Sequence, residues 1–415
     1  MHQLMRQLLN YKYLTREQIN GFDNYKYSAI DTSPLSKYVM HPFWNWLVEF
    51  FPRWFAPNLM TFLGFLFSAM NLVLLSYYDW NFNASSGAED TTPIPSWVWL
   101  CTALNIFIAY TLDGIDGKQA RRIGLSGPLG ELFDHGLDSY TAMLIPTCLY
   151  SIFGRSQIYS VRPMRMYYVC LTVYFNFFVS HWEKYNTGVL YLPWGYDLSM
   201  WGSTAMYGFT WLFGFERWKS ELSFGFLGTI PLGNVMEAVL HVSAMANLPL
   251  VVLNVYNSYA HRTGRMLSLG EAIRPLWPFL TYFVILLLWP FMSPNDIMET
   301  DPRAIFMLSG TVFSNVSCRL IVAQMSSTRS EAWHWQTPMF ALSLILSLWL
   351  PILERPLLYT LLVVTTLTHW HYGASVVNQM CDHFNRICFT VHKRVPTLEK
   401  EQDKLNPKAD LLKQE

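Results

Sequence analysis

Between Asp113 and Ser139 the chain reads DGIDGKQARRIGLSGPLGELFDHGLDS, placing four aspartates, a glutamate and a histidine between two strongly apolar segments. Asp113 and Asp116 stand three apart, so on a helix their carboxylates share one face, with Cβ atoms roughly 5–6 Å apart. Gly117, Ala120 and Arg121 continue that face. At IGLSGP, Gly124, Gly127 and Pro128 end one helix and open the next. Gly130, Asp134 and Asp138 then recur every four residues, and Glu131 and His135 form a second such pair on the flank. A solvated loop has no need to keep every aspartate on one helical face among small residues. If that face is buried, four carboxylates cost on the order of 10 kcal/mol at about 2.5–3.5 each for a span centre, less near the helix ends. Something cationic must therefore bind there. Hard carboxylate oxygens without cysteines or an imidazole cluster select Mg²⁺ or Mn²⁺ over zinc. Four of them can cage two ions roughly 3.5–4 Å apart and leave positions open for phosphate oxygens.

The elements that must hold these acids are membrane helices. The 415 residues are 52% hydrophobic and only 14% charged, and the charges fall in short gaps between apolar runs, which marks a membrane protein. Windows long enough to cross roughly 30 Å of hydrocarbon predict about ten spans, near 58–78, 96–116, 129–153, 164–182, 200–215, 236–258, 276–292, 304–325, 335–352 and 357–378. None shows the alternation of a barrel strand, so the expected fold is an all-α polytopic integral membrane protein. Its expected organisation is an interfacial N-terminal segment over 1–57, a ten-helix catalytic domain over 58–380 and a charged, largely disordered cytosolic tail over 381–415.

Within the N-terminal segment, YVMHPFWNWLVEFFPRWF sets Trp44, Trp46, Phe50, Phe51, Trp54 and Phe55 around Glu49 and Arg53, the pattern of a helix lying in the interface plane. The opening MHQLMRQLLNYKYLTREQIN has no secretory-signal pattern. With ten spans, most of the 29 Lys and Arg fall on the side of the termini, which places that side in the cytosol. The 153–165 connection, with Arg155, Arg162 and Arg165, runs against this bias. The sequon Asn83-Ala84-Ser85 then faces the lumen, and the acids sit where a soluble nucleotide reaches them. The six cysteines form no CxxC pair and read as small buried hydrophobes. No nucleic-acid module is legible.

The complete pattern D-x-x-D-G-x-x-A-R, then G-x-x-x-D-x-x-x-D, stands here as Asp113, Asp116, Gly117, Ala120, Arg121, Gly130, Asp134 and Asp138. It resembles the CDP-alcohol phosphotransferases. The resemblance extends through Ala56-Pro57-Asn58 and SHWEKYNTGVLYLPWGYD to nearly the whole chain, and is strongest toward the members that transfer phosphoethanolamine from CDP-ethanolamine to diacylglycerol, giving phosphatidylethanolamine and CMP. It implies two metal ions held by Asp113, Asp116, Asp134 and Asp138. Substrate contacts would come from Asn58, Gly117, Ala120, Arg121 and Gly130. The only histidine in the motif, His135, is the expected general base, with Glu131 orienting it; Asp138 is the rival base. The implied site is the endoplasmic reticulum membrane, extending to the Golgi, with homodimers common in the family. Choline in place of ethanolamine, or both, stays open, because aromatics such as Trp182, Tyr185, Trp194 and Tyr196 are too common at interfaces to identify a quaternary ammonium cage.

Two other classes fit less well. An intramembrane prenyltransferase places its acidic motifs on well-separated helices, and a carrier or cation channel needs acids deep within several spans. Outside the motif, Arg319 is expected to meet a phosphate or a neighbouring helix, and His369 and His371, two apart, to pack rather than share a metal.

Overall fold

The computed structural model describes residues 11–392 except 90, 156–160, 193 and 226–227. The proposed boundary at 381 falls inside the last helix, and residues 1–10 and 393–415 lie outside the described residues.

Two short helices precede the bundle: α1, Arg16–Gly21, closed by a Thr15/Gln18 capping box, and α2, His41–Leu47. The bundle follows as α3 Pro57–Tyr78, α4 Ser96–Arg122, α5 Pro128–Phe153, α6 Pro163–Thr187 and α7 Gly195–Phe213. It is completed by α8 Leu232–Ala260, α9 Leu276–Met292, α10 Pro302–Met325, α11 Thr337–Trp349 and α12 Glu354–His383. Each expected apolar window coincides with one of these helices. Proline at the first turn of α3, α5, α6 and α10 supplies the start, since its missing N–H is an orphan there anyway. Among the described residues, five segments are long and apolar enough to cross a bilayer: α3, α4, α8, α10 and Leu269–Met292, which contains α9; α11 is apolar but shorter. The protein is an all-α polytopic membrane protein.

Helix α10 is the hub, buried along nearly its whole length and packed on α5, α6 and α12. At Gly310 a Cβ would come within 1.9 Å of Met143 Cγ, so only glycine lets α5 approach there. Helices α3, α4, α5 and α7 form the adjoining half, and α8 lies outside with Val239, Val242, Val252 and Tyr256 exposed toward lipid.

The segment before α3 clamps the motif end of α4. Arg122 donates to the carbonyls of Val48 and Phe51 at 3.1 and 2.7 Å, and Gln119 to those of Pro52 and Phe55 at 2.9 and 3.2 Å. Tyr38, Trp46, Phe50 and Trp54 are exposed on this segment, as an interface helix requires. Trp44 departs from that face: it is buried against Tyr110 and Gly114, where a Cβ would meet its indole at 2.2 Å. The chain here passes through π, α and 3₁₀ turns, so a uniform helical period misplaces one ring. Two small sheets add little: β1 Ala29–Asp31 pairs in parallel with β2 Leu190–Leu192, and β3 Glu221–Ser223 antiparallel with β4 Thr229–Pro231. The first ties the N-terminal segment to the end of α6.

Candidate active site

Helices α4 and α5 turn over the five-residue link 123–127. Asp113 and Asp116 therefore face Asp134 and Asp138 across one rim of the bundle. Ligand oxygens of Asp113, Asp116 and Asp134 lie within 4.8 Å of one another, and so do ligand atoms of Asp134, His135 and Asp138. Asp134 belongs to both groups and bridges them. Its buried Oδ1 meets no donor, and among the described residues no lysine or arginine pairs with any of the four aspartates. Uncompensated carboxylates this close repel one another, and a hard divalent cation is the group that this oxygen donor set fits. His135 is near enough to join the second group as a ligand, a role its expected use as a base had not included.

Neutral donors aim two of the acids. Thr61 of α3 donates its hydroxyl to Asp116 Oδ2. Tyr196, opening α7, donates to Asp113 Oδ2 at 2.8 Å. Beside it, buried Asp197 accepts from Tyr110 at 2.5 Å and Ser36 at 2.6 Å, which locks α7 to α4 and to the N-terminal segment.

Arg121 is exposed at the end of α4, with no hydrogen-bond partner among the described residues. Its guanidinium hangs beside Gly117, 3.5 Å from where a Cβ would stand. Across the rim, a Cβ on Gly130 would lie 3.5 Å from Asn58 Oδ1. Both glycines leave space over the carboxylates. Asn58, half-buried in the first turn of α3, donates weakly to Cys388 Sγ at 3.6 Å, and Ala120 is half-buried on the same side of α4.

The expected Glu131–His135 pair is only partly formed. The two side chains are 3.7 Å apart, and buried His135 Nε2 has no hydrogen bond. Glu131 is engaged instead by Lys184 Nζ and by the Tyr25 hydroxyl, each at 2.5 Å. Burial, then the charge of Glu131, holds the Tyr25 phenol well above its ordinary range, so it remains a donor. On the other side, His135 Nδ1 lies 3.6 Å from Asp138 and its ring meets His181 edge-on at 5.3 Å. Lys184 and His181 belong to the SHWEKYNTG stretch that the resemblance singled out without assigning roles. A lysine in the last turn of a helix expected to span the membrane was the readable signal.

A cleft opens beside the acids among α3, α4, α5 and α7, lined by Thr61, Gly64, Asp113, Asp138, Tyr196 and Met200 among others. The site thus joins a carboxylate cluster and a cationic fork at the bundle's end to a small cleft between helices.

A family model described as CDP-alcohol phosphatidyltransferase matches residues 54–213, the span holding every residue of that cluster. Ethanolaminephosphotransferase 1 of Homo sapiens is 45% identical over 93% of this chain and 96% of its own length. The chain belongs to the CDP-alcohol phosphatidyltransferase family. The Mus musculus ethanolaminephosphotransferase 1 is 44% identical over the same shares, and Arabidopsis thaliana choline/ethanolaminephosphotransferase 1 is 29% identical over 92% of this chain and 99% of its own. As a family member the protein is a membrane-embedded transferase. Arg319 lies away from the cluster, bonded to Glu331 at 2.9 Å and stacked on Tyr372, and His369 packs flat on Tyr140.

Proposed function

We propose that this protein transfers phosphoethanolamine from CDP-ethanolamine to the free hydroxyl of diacylglycerol, releasing phosphatidylethanolamine and CMP. The observation that carries the reading is a four-carboxylate cluster without an internal cation, open both to the rim and to a cleft among the helices. Its relatives' names supply the headgroup.

In the transfer the acceptor oxygen bonds to the ethanolamine-bearing phosphorus, the bond from that phosphorus to the bridging oxygen breaks, and the hydroxyl proton passes to the protein. Two Mg²⁺ or Mn²⁺ ions held by Asp113, Asp116, Asp134 and Asp138 supply charge neutralisation for the diphosphate and the departing CMP. Arg121 offers a fixed fork to a phosphate oxygen. Asn58 and Ala120 line the nucleotide side, and Gly117 and Gly130 let it approach the backbone closely. His135 takes the proton, its Nε2 being an imidazole nitrogen without a hydrogen bond beside the acids; Glu131, held by Lys184 and Tyr25, favours the imidazolium from 3.7 Å. Asp138 is a second assignment for the base, favoured by its place in the cleft wall.

The catalytic unit spans helices α3–α12, with the rim and the termini on the cytosolic face of the endoplasmic reticulum or Golgi membrane. Tag accessibility in sealed microsomes tests this: protected termini invert the orientation. The activity test is the purified full-length chain with Mg²⁺, labelled CDP-ethanolamine and diacylglycerol. Labelled lipid and CMP form in equal amounts, and no labelled lipid overturns the reading. Competition with CDP-choline shows a higher kcat/KM for CDP-ethanolamine; equal values make the enzyme a dual choline/ethanolamine phosphotransferase.

A further inference from the structure

The cleft beside the acids descends into the bundle along α3. Helices α3 and α4 run antiparallel, because Thr61 meets Asp116 near one end while Asn71 donates to Thr102 O at 3.2 Å and accepts from Asn105 at 2.8 Å further in. Going deeper along α3 therefore means going back along α4. Ser68 and Ala109 line the same cleft as Asp113 and Asp138, and four residues of α4 separate Asp113 from the level of Ala109, a depth of about 6 Å.

Ser68 is 1% exposed and its hydroxyl has no hydrogen-bond partner among the described residues. Hydroxyls in membrane helices ordinarily bond a carbonyl of their own preceding turn. In this bundle Ser180, Ser347 and Thr365 do so, at 3.0, 2.7 and 2.7 Å. Ser68 does not, nor do Ser76, Thr111, Thr147, Ser151 and Ser317, but of these Ser68 alone lines the cleft, and a buried donor left unpaired is costly. Around it the wall is mostly apolar or small, with Phe65, Leu137, Met200 and Gly64, where a Cβ would stand 3.1 Å from Ala109 O, and carries one further hydroxyl, that of Thr141.

We infer that this cleft is the acceptor lipid's subsite and that Ser68 donates its hydroxyl to an ester carbonyl of the bound diacylglycerol. The inference rests on the phosphotransferase reading above. The free hydroxyl of a diacylglycerol and its ester carbonyls are separated by a short chain of single bonds, about one helical turn when extended. With the hydroxyl at Asp113 and Asp138, a carbonyl reaches the level of Ser68. The nucleotide stays at the rim with Arg121 and Asn58. Ser68 thus acts as a specificity residue that distinguishes acylated from ether-linked acceptors.

The test compares diacylglycerol with a dialkylglycerol of equal chain length, which has the same hydroxyl and no ester carbonyl, in the full-length chain with Mg²⁺ and CDP-ethanolamine. The native chain prefers diacylglycerol in kcat/KM by roughly 5- to 10-fold, the effect of one neutral buried hydrogen bond. Ser68→Ala raises KM for diacylglycerol by that factor, leaves KM for CDP-ethanolamine unchanged and abolishes the preference, while Ser68→Thr keeps most of it. Equal losses on both acceptors in Ser68→Ala, or an unchanged preference, overturn the inference. A native chain that forms no labelled lipid from either acceptor instead overturns the underlying reading.

Discussion

Both ends of the helix bundle bury acidic groups, and they treat them in opposite ways. At the end where α10 and α12 begin, each acid meets a built-in donor. Asp301, 2% exposed, pairs with Arg355 at 2.9 Å and accepts from Tyr359 at 2.7 Å. Glu354, fully buried, accepts from the Trp289 indole at 3.1 Å and twice from Asn295. Asp79 accepts from the Ala84 amide at 2.9 Å, while Arg303, also fully buried, donates to the carbonyls of Asp79 and Trp80. At the other end four aspartates face one another, and among the described residues the side chains that donate to them are Thr61 and Tyr196. Burial alone therefore does not separate a structural acid from a functional one. What separates them is whether each acid stands apart with partners supplied by the chain or faces other acids whose shared charge must be met by a ligand.

The largest effect expected from this contrast is at the shared acid. Asp134→Asn lowers turnover by at least about 10³-fold while leaving the melting temperature of the metal-free protein equal or higher, since one repulsive charge is gone. Near-normal turnover removes Asp134 from the site, and a large drop in melting temperature moves it into the structural class. His135→Ala comes next: single-turnover rates fall roughly 10²- to 10⁴-fold with CDP-ethanolamine binding intact. Unchanged single-turnover kinetics would transfer the role of base to Asp138.

At the opposite end the effect changes kind. Glu354→Leu leaves Trp289 and Asn295 donors unpaired and costs about 1–3 kcal/mol of stability, read as a lowered melting temperature, with kcat per folded molecule retained. Smallest is Tyr196→Phe, which removes one hydrogen bond from Asp113 and weakens divalent-cation binding by roughly 3- to 10-fold with stability near native. Unaltered binding would leave Tyr196 as packing only.

The helices were legible because each coincides with an apolar run that proline or charge interrupts, and the acidic face was legible because all its members lie on two consecutive helices at spacings of three and four. What pairs with that face was not. Thr61 meets Asp116, Tyr196 meets Asp113, and Lys184 and Tyr25 meet Glu131 across α3, α7, α6 and the N-terminal segment, and helical periodicity carries no information about contacts between distant elements. That is why Glu131 read as a partner for His135 alone. Trp44 was misplaced for a local reason, the mixed turns preceding α3. Ser68 offered no signal in the sequence, being one serine in a span until its lack of a partner was visible.

The account depends most on cations binding among the four aspartates, and counting bound Mn²⁺ by electron paramagnetic resonance on the purified full-length chain tests this most directly. With CDP-ethanolamine present, the native chain and Glu354→Gln should each bind two ions, and Asp134→Asn fewer than one at the same free concentration. Binding that is absent from the native chain, or that survives Asp134→Asn undiminished, contradicts the account.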